Sequence, residues 1–347
     1  MIRRAAGLVT LVCLEACRQG PETPASTSPG TARSVVVYSS TDKEFAELIF
    51  RAYEQKTTVK VLPLYDTEET KTAGLTARLV AEKVNPKADV FWSSDTSRAL
   101  ALADQGVAAP YSSPEAAEIP ERYKSGTGLW TGFGARIRVL LYNTDQVMAT
   151  DAPRSILELA MPRWKGRVAI ANPHFGTTSF HAAAFFVKWG DSRATAFLES
   201  LKANGVVIAA GNSDVKDRVS DGRVSVGILD EDDAAVALRE KKPVALVIPD
   251  QNGPNALGTP LMPNAALLIQ GAPHPEEARR FIDFLVSAAA ERILAASDAA
   301  QYPLHPGVPG PALLPPLAGI RVMDVDYAEV ARKLPAMDAS VKTIFGL

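Results

Sequence analysis

The fold is decided by a unit that first appears as SVVVYSSTDKEFAELIF, residues 34–50. Val35–Tyr38 are a short apolar run rich in β-branched residues, which favours a strand. Ser39–Asp42 are small or polar and are typical of the stretch that caps a helix, after which apolar residues recur at helical spacing. The pattern predicts a strand, a polar turn and an amphipathic helix.

The same unit recurs along most of the chain. Further apolar strands are predicted at 59–64, 89–92, 138–142, 167–171, 206–209, 224–229, 244–248 and 261–268. Apolar strands interleaved with amphipathic helices indicate an α/β fold whose sheet is covered on both faces. In such sheets the ligand crevice lies beyond the carboxyl ends of the strands, so the polar turns that follow the strands are the candidate site.

The composition limits the classes of protein that need to be considered. The chain has 47% hydrophobic and 22% charged residues and a net charge of -2, which predicts a globular protein without a basic face for nucleic acid. Its two cysteines are Cys13 and Cys17, so the rest of the chain has no thiol for a disulfide or a metal site. A body of roughly 330 residues is long enough for two lobes.

The N-terminus has the layout of a bacterial secretory leader with a lipoprotein cleavage box. Arg3 and Arg4 precede an apolar run, Ala5 to Leu14, and the small Ala16 stands before Cys17. About ten apolar residues are too few to cross a bilayer, which needs about 20. We therefore expect residues 1–16 to be a signal peptide and Cys17 to carry a lipid. Residues 17–33, rich in Pro, Ser and Thr, would be a flexible tether in the periplasm or cell envelope.

The order of these signals resembles the solute-binding proteins of ABC importers, and among them the ferric-iron-binding branch of extracellular solute-binding protein family 1. Seven segments carry the resemblance: Val36–Ser40, Ala88–Trp92, Gly134–Asn143, Pro162–Gly166, Asn172–Thr178, Gly211–Ser213 and Gln301–Gly307. The resemblance implies the type II periplasmic binding protein fold, with two α/β lobes joined by two crossover strands. It implies a first lobe at 34–132 plus 264–320 and a second at 133–263. A C-terminal segment, 321–347, with a helix expected around 327–334, is left unassigned.

The resemblance also bears on a metal site. Iron-binding members offer a histidine in the first turn, a glutamate in the third and a tyrosine pair in the second lobe. This chain has Asp42, Ser94, and Asp232 with Asp233 at the matching positions. Oxygen ligands suit hard cations, so Asp42, Asp232 and Asp233 are candidate ligands of ferric iron carried as cargo, provided that the lobes close. The alternative is that these acids only favour the positive end of a helix.

A second set of residues favours an anion such as a phosphonate or a carboxylate. Arg136 matches the arginine that holds an anion in the cleft of the family, and hydroxyls at helix starts receive oxyanions well. The candidate ligand-binding residues are Ser39, Ser40, Ser94, Arg136, Thr177, Thr178, Ser179, Asn212, Asp230 and Asp232. Arg138, one step further along the strand, is expected to be a solvated surface charge. An amine-bearing solute would meet Asp230 and Asp232.

The sequence contains none of the common catalytic motifs. It has no Gly-x-Ser-x-Gly elbow, His-Glu-x-x-His helix, phosphate-binding loop or dinucleotide glycine pattern. We therefore expect a monomeric lipoprotein without a cofactor, which passes a small solute to an ABC transporter permease and meets the membrane only through its lipid. The alternatives are an envelope hydrolase that uses the same cleft and a lipoprotein with a structural role.

Overall fold

The computed structural model describes residues 1–2, 33–66, 73–254 and 256–347. Most of the predicted signal peptide and most of the predicted tether, with Cys17, lie outside the described residues. Residues from Arg33 to Leu347 form one compact unit. None of the helices in the described ranges combines the length and the apolar character that a bilayer crossing needs.

Strands and helices alternate along this unit. The strands are β1 (Ser34–Ser39), β2 (Lys60–Tyr65), β3 (Val90–Ser93), β4 (Ala108–Ala109), β5 (Thr131–Asn143), β6 (Val168–Ala171), β7 (Val207–Ala209), β8 (Val226–Asp230), β9 (Val244–Val247) and β10 (Leu261–Ile269). The helices are α1 (Lys43–Thr57), α2 (Ala73–Ala81), α3 (Thr96–Asp104), α4 (Gly176–Trp189), α5 (Asp191–Ala203), α6 (Asn212–Ser220), α7 (Glu231–Arg239), α8 (Pro275–Leu285), α9 (Ala288–Ala296) and α10 (Tyr327–Phe345). The strand, polar turn and helix predicted at 34–50 are confirmed as β1 and α1.

The strands form two groups that share two long members. The order is β2-β1-β3-β10-β5-β8-β6-β7, with β4 beside β10 and β9 beside β5. β1 runs parallel to β2 and β3, and β6 runs parallel to β7 and β8, whereas β5 and β10 are antiparallel to each other. We call the elements around β1–β4 the first lobe and those around β6–β9 the second lobe. The prediction of two α/β lobes joined by two crossover strands is confirmed.

Each lobe is held by helices that pack on both faces of its strands. In the first lobe α1 buries Phe45, Ile49 and Tyr53, and the side chains of Val35 and Val37 in β1 are fully buried. In the second lobe α6 lies so close to β8 that a Cβ atom at Gly227 would be 2.3 Å from a Val215 methyl carbon. Glycine at this position lets the helix that borders the site approach its strand.

The crossover strands are irregular where they pass from one lobe to the other. Their register shifts between Pro263 and Asn264, and Gly134 opposite has a φ of 41°, in the left-handed region that favours glycine. The Asn264 amide donates to the carbonyl of Gly134 and to Gln301 Oε1, the latter at 2.8 Å. Side-chain amides therefore replace part of the backbone pairing at this point.

The C-terminal helix is longer than predicted. The sequence indicated a helix around 327–334, but α10 continues through Pro335 to Phe345. A proline inside a helix removes one backbone hydrogen bond and disfavours the helix locally. The helix packs against α3, α4 and α5 and buries Leu334, Met337 and Val341, and this burial offsets the cost of the proline.

Glu291 in α9 connects a crossover strand to the segment that follows α9. Its fully buried carboxylate accepts hydrogen bonds from the Gly134 amide at 2.8 Å and from the amides of Leu304 and His305 at 2.9 Å. It also lies 2.7 Å from His305 Nδ1, and this contact raises the pKa of His305. One carboxylate therefore joins β5 to the segment that follows α9.

We expect Glu291→Ala to lower the free energy of unfolding by about 3–5 kcal/mol, because it leaves a buried histidine and three amides without their acceptor. Chemical denaturation followed by circular dichroism measures the change. Glu276→Ala is the matched control, because that carboxylate is 71% exposed and pairs with Arg279 on the surface. Equal effects of the two substitutions would contradict the assigned role of Glu291.

Candidate functional site

A cavity of about 330 Å³ lies between the two lobes. The first lobe contributes the start of α1 (Asp42, Lys43 and Glu44) and Ser94 after β3. The second lobe contributes residues from the stretches 171–178, 210–213 and 230–233, and β5 contributes Arg136. These stretches follow β1, β3, β6, β7 and β8, so the cavity lies at the carboxyl ends of the strands, where the fold places its ligands.

The structure brings most of the predicted residues to the cavity wall. Those that line it are Ser94, Arg136, Thr177, Thr178, Asn212, Asp230 and Asp232, together with the candidate metal ligands Asp42 and Asp233. These residues come from six separate stretches of the chain, and the sheet order brings them together.

Three predicted residues, Ser39, Ser40 and Ser179, lie behind the wall rather than on it. Ser40 Oγ accepts the Ser94 amide at 2.9 Å, and Ser39 Oγ accepts the Thr41 amide at 3.2 Å. Ser179 is fully buried, and its hydroxyl is 3.4 Å from an Arg98 nitrogen. In the structure these hydroxyls brace the turns that carry the wall, and a direct contact with a solute stays a prediction.

Arg138 lies behind the cavity-lining residues of the second lobe and is bonded to several of them. It is buried, so the expectation of a solvated surface charge is wrong. Its side chain is fully buried and donates to Asp230 Oδ1 at 2.7 Å, to Asn212 Oδ1 at 2.9 Å, and to the hydroxyls of Thr177 and Thr178 at 3.1 Å. Arg138 and Asp230 are direct register partners on the antiparallel strands β5 and β8. One signal was present in the sequence: a charge inside a run of strand residues covered on both faces needs a buried partner.

Asp230 completes this network from the other side. Its Oδ2 accepts the Thr177 hydroxyl at 2.7 Å and the Asn212 amide at 3.0 Å. Because Thr177 lies in the first turn of α4, Asn212 begins α6 and Asp230 precedes α7, the network fixes three helix starts relative to one another. Hydrogen bonds within the protein therefore organise the second-lobe wall.

Arg136 joins the two lobes across the cavity. One guanidinium nitrogen donates to the carbonyl of Ser94 in the first lobe, and the other lies 3.4 Å from Asp230 Oδ2 in the second. The side chain is 7% exposed and lines the cavity, and its Nε has no hydrogen-bond partner in the described part of the chain. Arg136 is thus placed to meet a solute oxygen while holding both lobes.

The start of α7 carries a dense set of carboxylates. Burial raises the pKa of Asp232 well above its usual value, and the charges of Asp233 and Asp230 raise it further. Glu231, which the sequence analysis did not select, is fully buried, and its pKa is raised well above the usual range by burial and then by Asp232 and Asp230. Its Oε2 accepts the Ile137 amide at 2.7 Å, whereas its buried Oε1 has no partner among the described residues. The wall therefore contains two buried carboxyl groups whose pKa values are raised, and perturbed pKa values are common at functional sites.

The candidate metal ligands share the cavity without forming a metal-binding group. Within the described ranges, no set of three or more His, Cys, Asp or Glu side chains is arranged to hold a metal ion. Asp232 instead accepts the Asp233 amide at 2.8 Å, a contact within the first turn of α7. Coordination by Asp42, Asp232 and Asp233 stays a prediction that depends on further closure of the lobes.

Two α/β lobes, two crossover strands and a polar cavity between them define a solute-binding protein with the type II periplasmic binding fold. The family model for bacterial extracellular solute-binding proteins matches residues 85–330, and the chain belongs to this family.

Relatives and solved structures agree with this assignment. Iron uptake protein A1 of Synechocystis is 29% identical over 309 residues, covering 85% of this chain and 82% of that protein. Iron-bound HitA from Pseudomonas aeruginosa superimposes with a TM-score of 0.80 at 25% identity, covering 89% of this chain and 99% of that one. AfuA from Actinobacillus pleuropneumoniae, with fructose-6-phosphate bound, has a TM-score of 0.80 at 21% identity over 91% of this chain and 100% of that one, which shows a shared fold. The resemblance and the fold predicted from the sequence are confirmed.

We expect Glu231→Gln to change the pH dependence of stability. Because the pKa of Glu231 is raised in the folded protein, the folded state holds more protons than the unfolded state above the usual glutamate pKa of 4.5. Stability from this group is present below that pH and is lost as the pH rises toward the folded pKa. Denaturant melts should show the variant gaining free energy of unfolding relative to the parent between about pH 5 and about pH 8.

Glu54→Gln is the control for this experiment. The Val61 amide holds the pKa of Glu54 below its usual value, so its titration lies below the tested range. The difference between this variant and the parent should stay constant over the same range. A constant difference for Glu231→Gln as well would show that Glu231 is already ionised in the folded protein.

Proposed function

We propose that this protein captures a small polar solute between its lobes and presents it to the permease of an ABC importer. The observation that carries the proposal is a polar cavity whose wall comes from both lobes, with Arg136 contacting each of them. A solute that touches both walls makes its full set of contacts only when the lobes are closed, so it stabilises the closed form. A monomer is sufficient for this mechanism, and no covalent step or cofactor is required.

We propose that the lobes extend over 34–132 plus 264–320 and over 133–263. The irregular pairing at Pro263 and Asn264 and the left-handed Gly134 support boundaries at these points, because the hydrogen bonding of the two crossover strands changes there. Rotation of one lobe against the other would be absorbed by these few residues.

We propose ferric iron or a small anion as the cargo. Iron uptake protein A1 and iron-bound HitA support iron by their names. In this chain, carboxylate oxygens from Asp42, Asp232 and Asp233 would be the metal donors, since neither tyrosine nor histidine is among the described residues that line the cavity.

A phosphonate or carboxylate would use a different part of the wall. Arg136 and Thr178 offer side-chain donors, and both α4 and α6 begin at the cavity without a side-chain cap from the residue that precedes them. An amine would use Asp232 rather than Asp230, because Asp230 already accepts hydrogen bonds from Arg138, Thr177 and Asn212.

We also propose that the protein is held at the periplasmic face of a membrane by a lipid on Cys17. The cationic residues, the short apolar run and Ala16 before the cysteine support this proposal. Such an anchor keeps a receptor close to its permease while the tether leaves the lobes free to turn.

We expect Arg136→Ala to weaken solute binding at least about tenfold, because a buried charged hydrogen bond of the closed state is lost. Native mass spectrometry of gently purified protein first identifies the retained cargo. Calorimetry then measures affinity with that cargo and with a panel of ferric citrate, methylphosphonate and ethanolamine.

Arg218→Ala is the control, because that guanidinium pairs with Asp214 on the same helix, away from the cavity. An affinity unchanged by Arg136→Ala would remove that residue from the site. Absence of binding by every solute would favour a structural lipoprotein, and turnover of any solute would favour a hydrolase.

We expect Cys17→Ser to release the protein from the membrane fraction, because no residue would remain to accept the lipid. Cell fractionation and immunoblotting measure the release. Cys13→Ser is the matched control, since that cysteine lies inside the apolar run of the leader and should leave attachment intact. Membrane attachment of the Cys17→Ser variant would contradict the lipoprotein proposal.

A further inference from the structure

The C-terminal helix α10 contacts both lobes. It packs against α3 of the first lobe and against α4 and α5 of the second. The family match ends at residue 330, so most of α10 lies beyond it. From this placement and the contacts below, we infer that α10 is an interlobe strap: a third link, besides β5 and β10, that restrains opening of the lobes and holds the ligand-facing turn between β6 and α4.

The first contact point of the strap is Tyr327, at the start of α10. Its ring centroid lies 5.8 Å from that of Phe180 in α4, 6.2 Å from that of Tyr123 and 6.4 Å from that of Trp130. The first of these rings belongs to the second lobe, and the other two belong to the first-lobe segment before β5. The Tyr327 hydroxyl also donates to the Leu261 carbonyl of β10 at 2.8 Å. One buried side chain therefore contacts both lobes and a crossover strand, at distances where aromatic pairs attract.

The second contact point is Asp338, in the middle of α10. Its Oδ1 lies 3.1 Å from His174 Nδ1, in the turn that leads into the cavity-lining residues Phe175 and Gly176. The carbonyl of His174 accepts a hydrogen bond from Arg98 of α3 at 2.8 Å. This turn is therefore held by α10 through the ring of His174, and by Arg98 of the first lobe through the carbonyl of His174.

The strap is attached more firmly to the second lobe than to the first. Lys333 Nζ pairs with Asp191 Oδ1 at 2.6 Å, and Lys202 Nζ donates to the carbonyl of Ile344. The helix should therefore move with the second lobe. When the lobes separate, its contacts with α3, Tyr123 and Trp130 must slide or break, so part of the closing free energy comes from the chain itself.

The inference rests on the proposed function, because it concerns the opening and closing of the lobes by which a solute would be captured. Its test, however, requires no solute. Spin labels at Gln55→Cys in α1 and Asp217→Cys in α6 occupy exposed positions on different lobes. The full chain with Cys13→Ser and Cys17→Ser has no other thiol. Double electron–electron resonance then gives the interlobe distance distribution of the solute-free protein.

Tyr327→Leu should shift this distribution to longer distances, because the aromatic contacts to the first lobe are lost. Asp338→Asn should shift it less, since it loosens the His174 turn at a half-buried position and acts on the first lobe only through the hydrogen bond from Arg98 to the His174 carbonyl. Tyr111→Phe is the matched control: it removes a hydroxyl that donates to Asp283 at 2.7 Å within the first lobe. Circular dichroism confirms that each variant is folded.

Distributions that match the parent in both strap variants would overturn the inference, as would an equal shift in the Tyr111→Phe control. If Tyr327→Leu does not fold, Asp338→Asn alone decides, by the presence or absence of a shift. Failure of the proposed function appears separately, as absent binding in the parent protein by calorimetry.

Discussion

The buried pair of Arg138 and Asp230 is the interaction on which the rest of the site depends. The two residues face each other on β5 and β8, 2.7 Å apart, with both side chains out of contact with solvent. Removing two charges from water is costly, so such a pair is not explained by stability alone. Its geometric effect is clear: Thr177, Thr178 and Asn212 bond to the pair, and the starts of α4, α6 and α7 are fixed around it.

The charge arrangement above this pair determines what the cavity can hold. Arg136 contributes a second cation to Asp230, while Glu231 and Asp232 are buried in places that raise their pKa. A fold would not bury these carboxyls so close together for stability, because each one penalises the ionisation of the next. The cost is consistent with a wall prepared for a polar solute before the lobes close on it.

Movement of the lobes is constrained at two places. At the crossover strands, Glu291 and Asn264 replace regular pairing by side-chain hydrogen bonds to Gly134, and the proposed rotation of the lobes would use this irregular point. At the C-terminus, Tyr327 and Asp338 connect α10 to both lobes and to the cavity-facing turn. The balance between a permissive hinge and a restraining helix would set how strongly a solute must bind to close the protein.

The sequence by itself determined the alternation of strands and helices and the position of the polar turns, because local periodicity and capping residues act over a few residues. That is why Thr177, Asn212 and Asp232 could be selected in advance, whereas Arg136 was selected through the resemblance to the family. Only the tertiary structure decided which groups face the cavity. Arg138 is buried because β8 brings Asp230 beside it across 92 residues of sequence, and α10 continues through Pro335 because it packs on three helices. Contacts between distant segments leave no local pattern, so neither the partner of Arg138 nor the full length of α10 could be predicted from the sequence, although the place of Arg138 inside a covered strand indicated that it needs a buried partner.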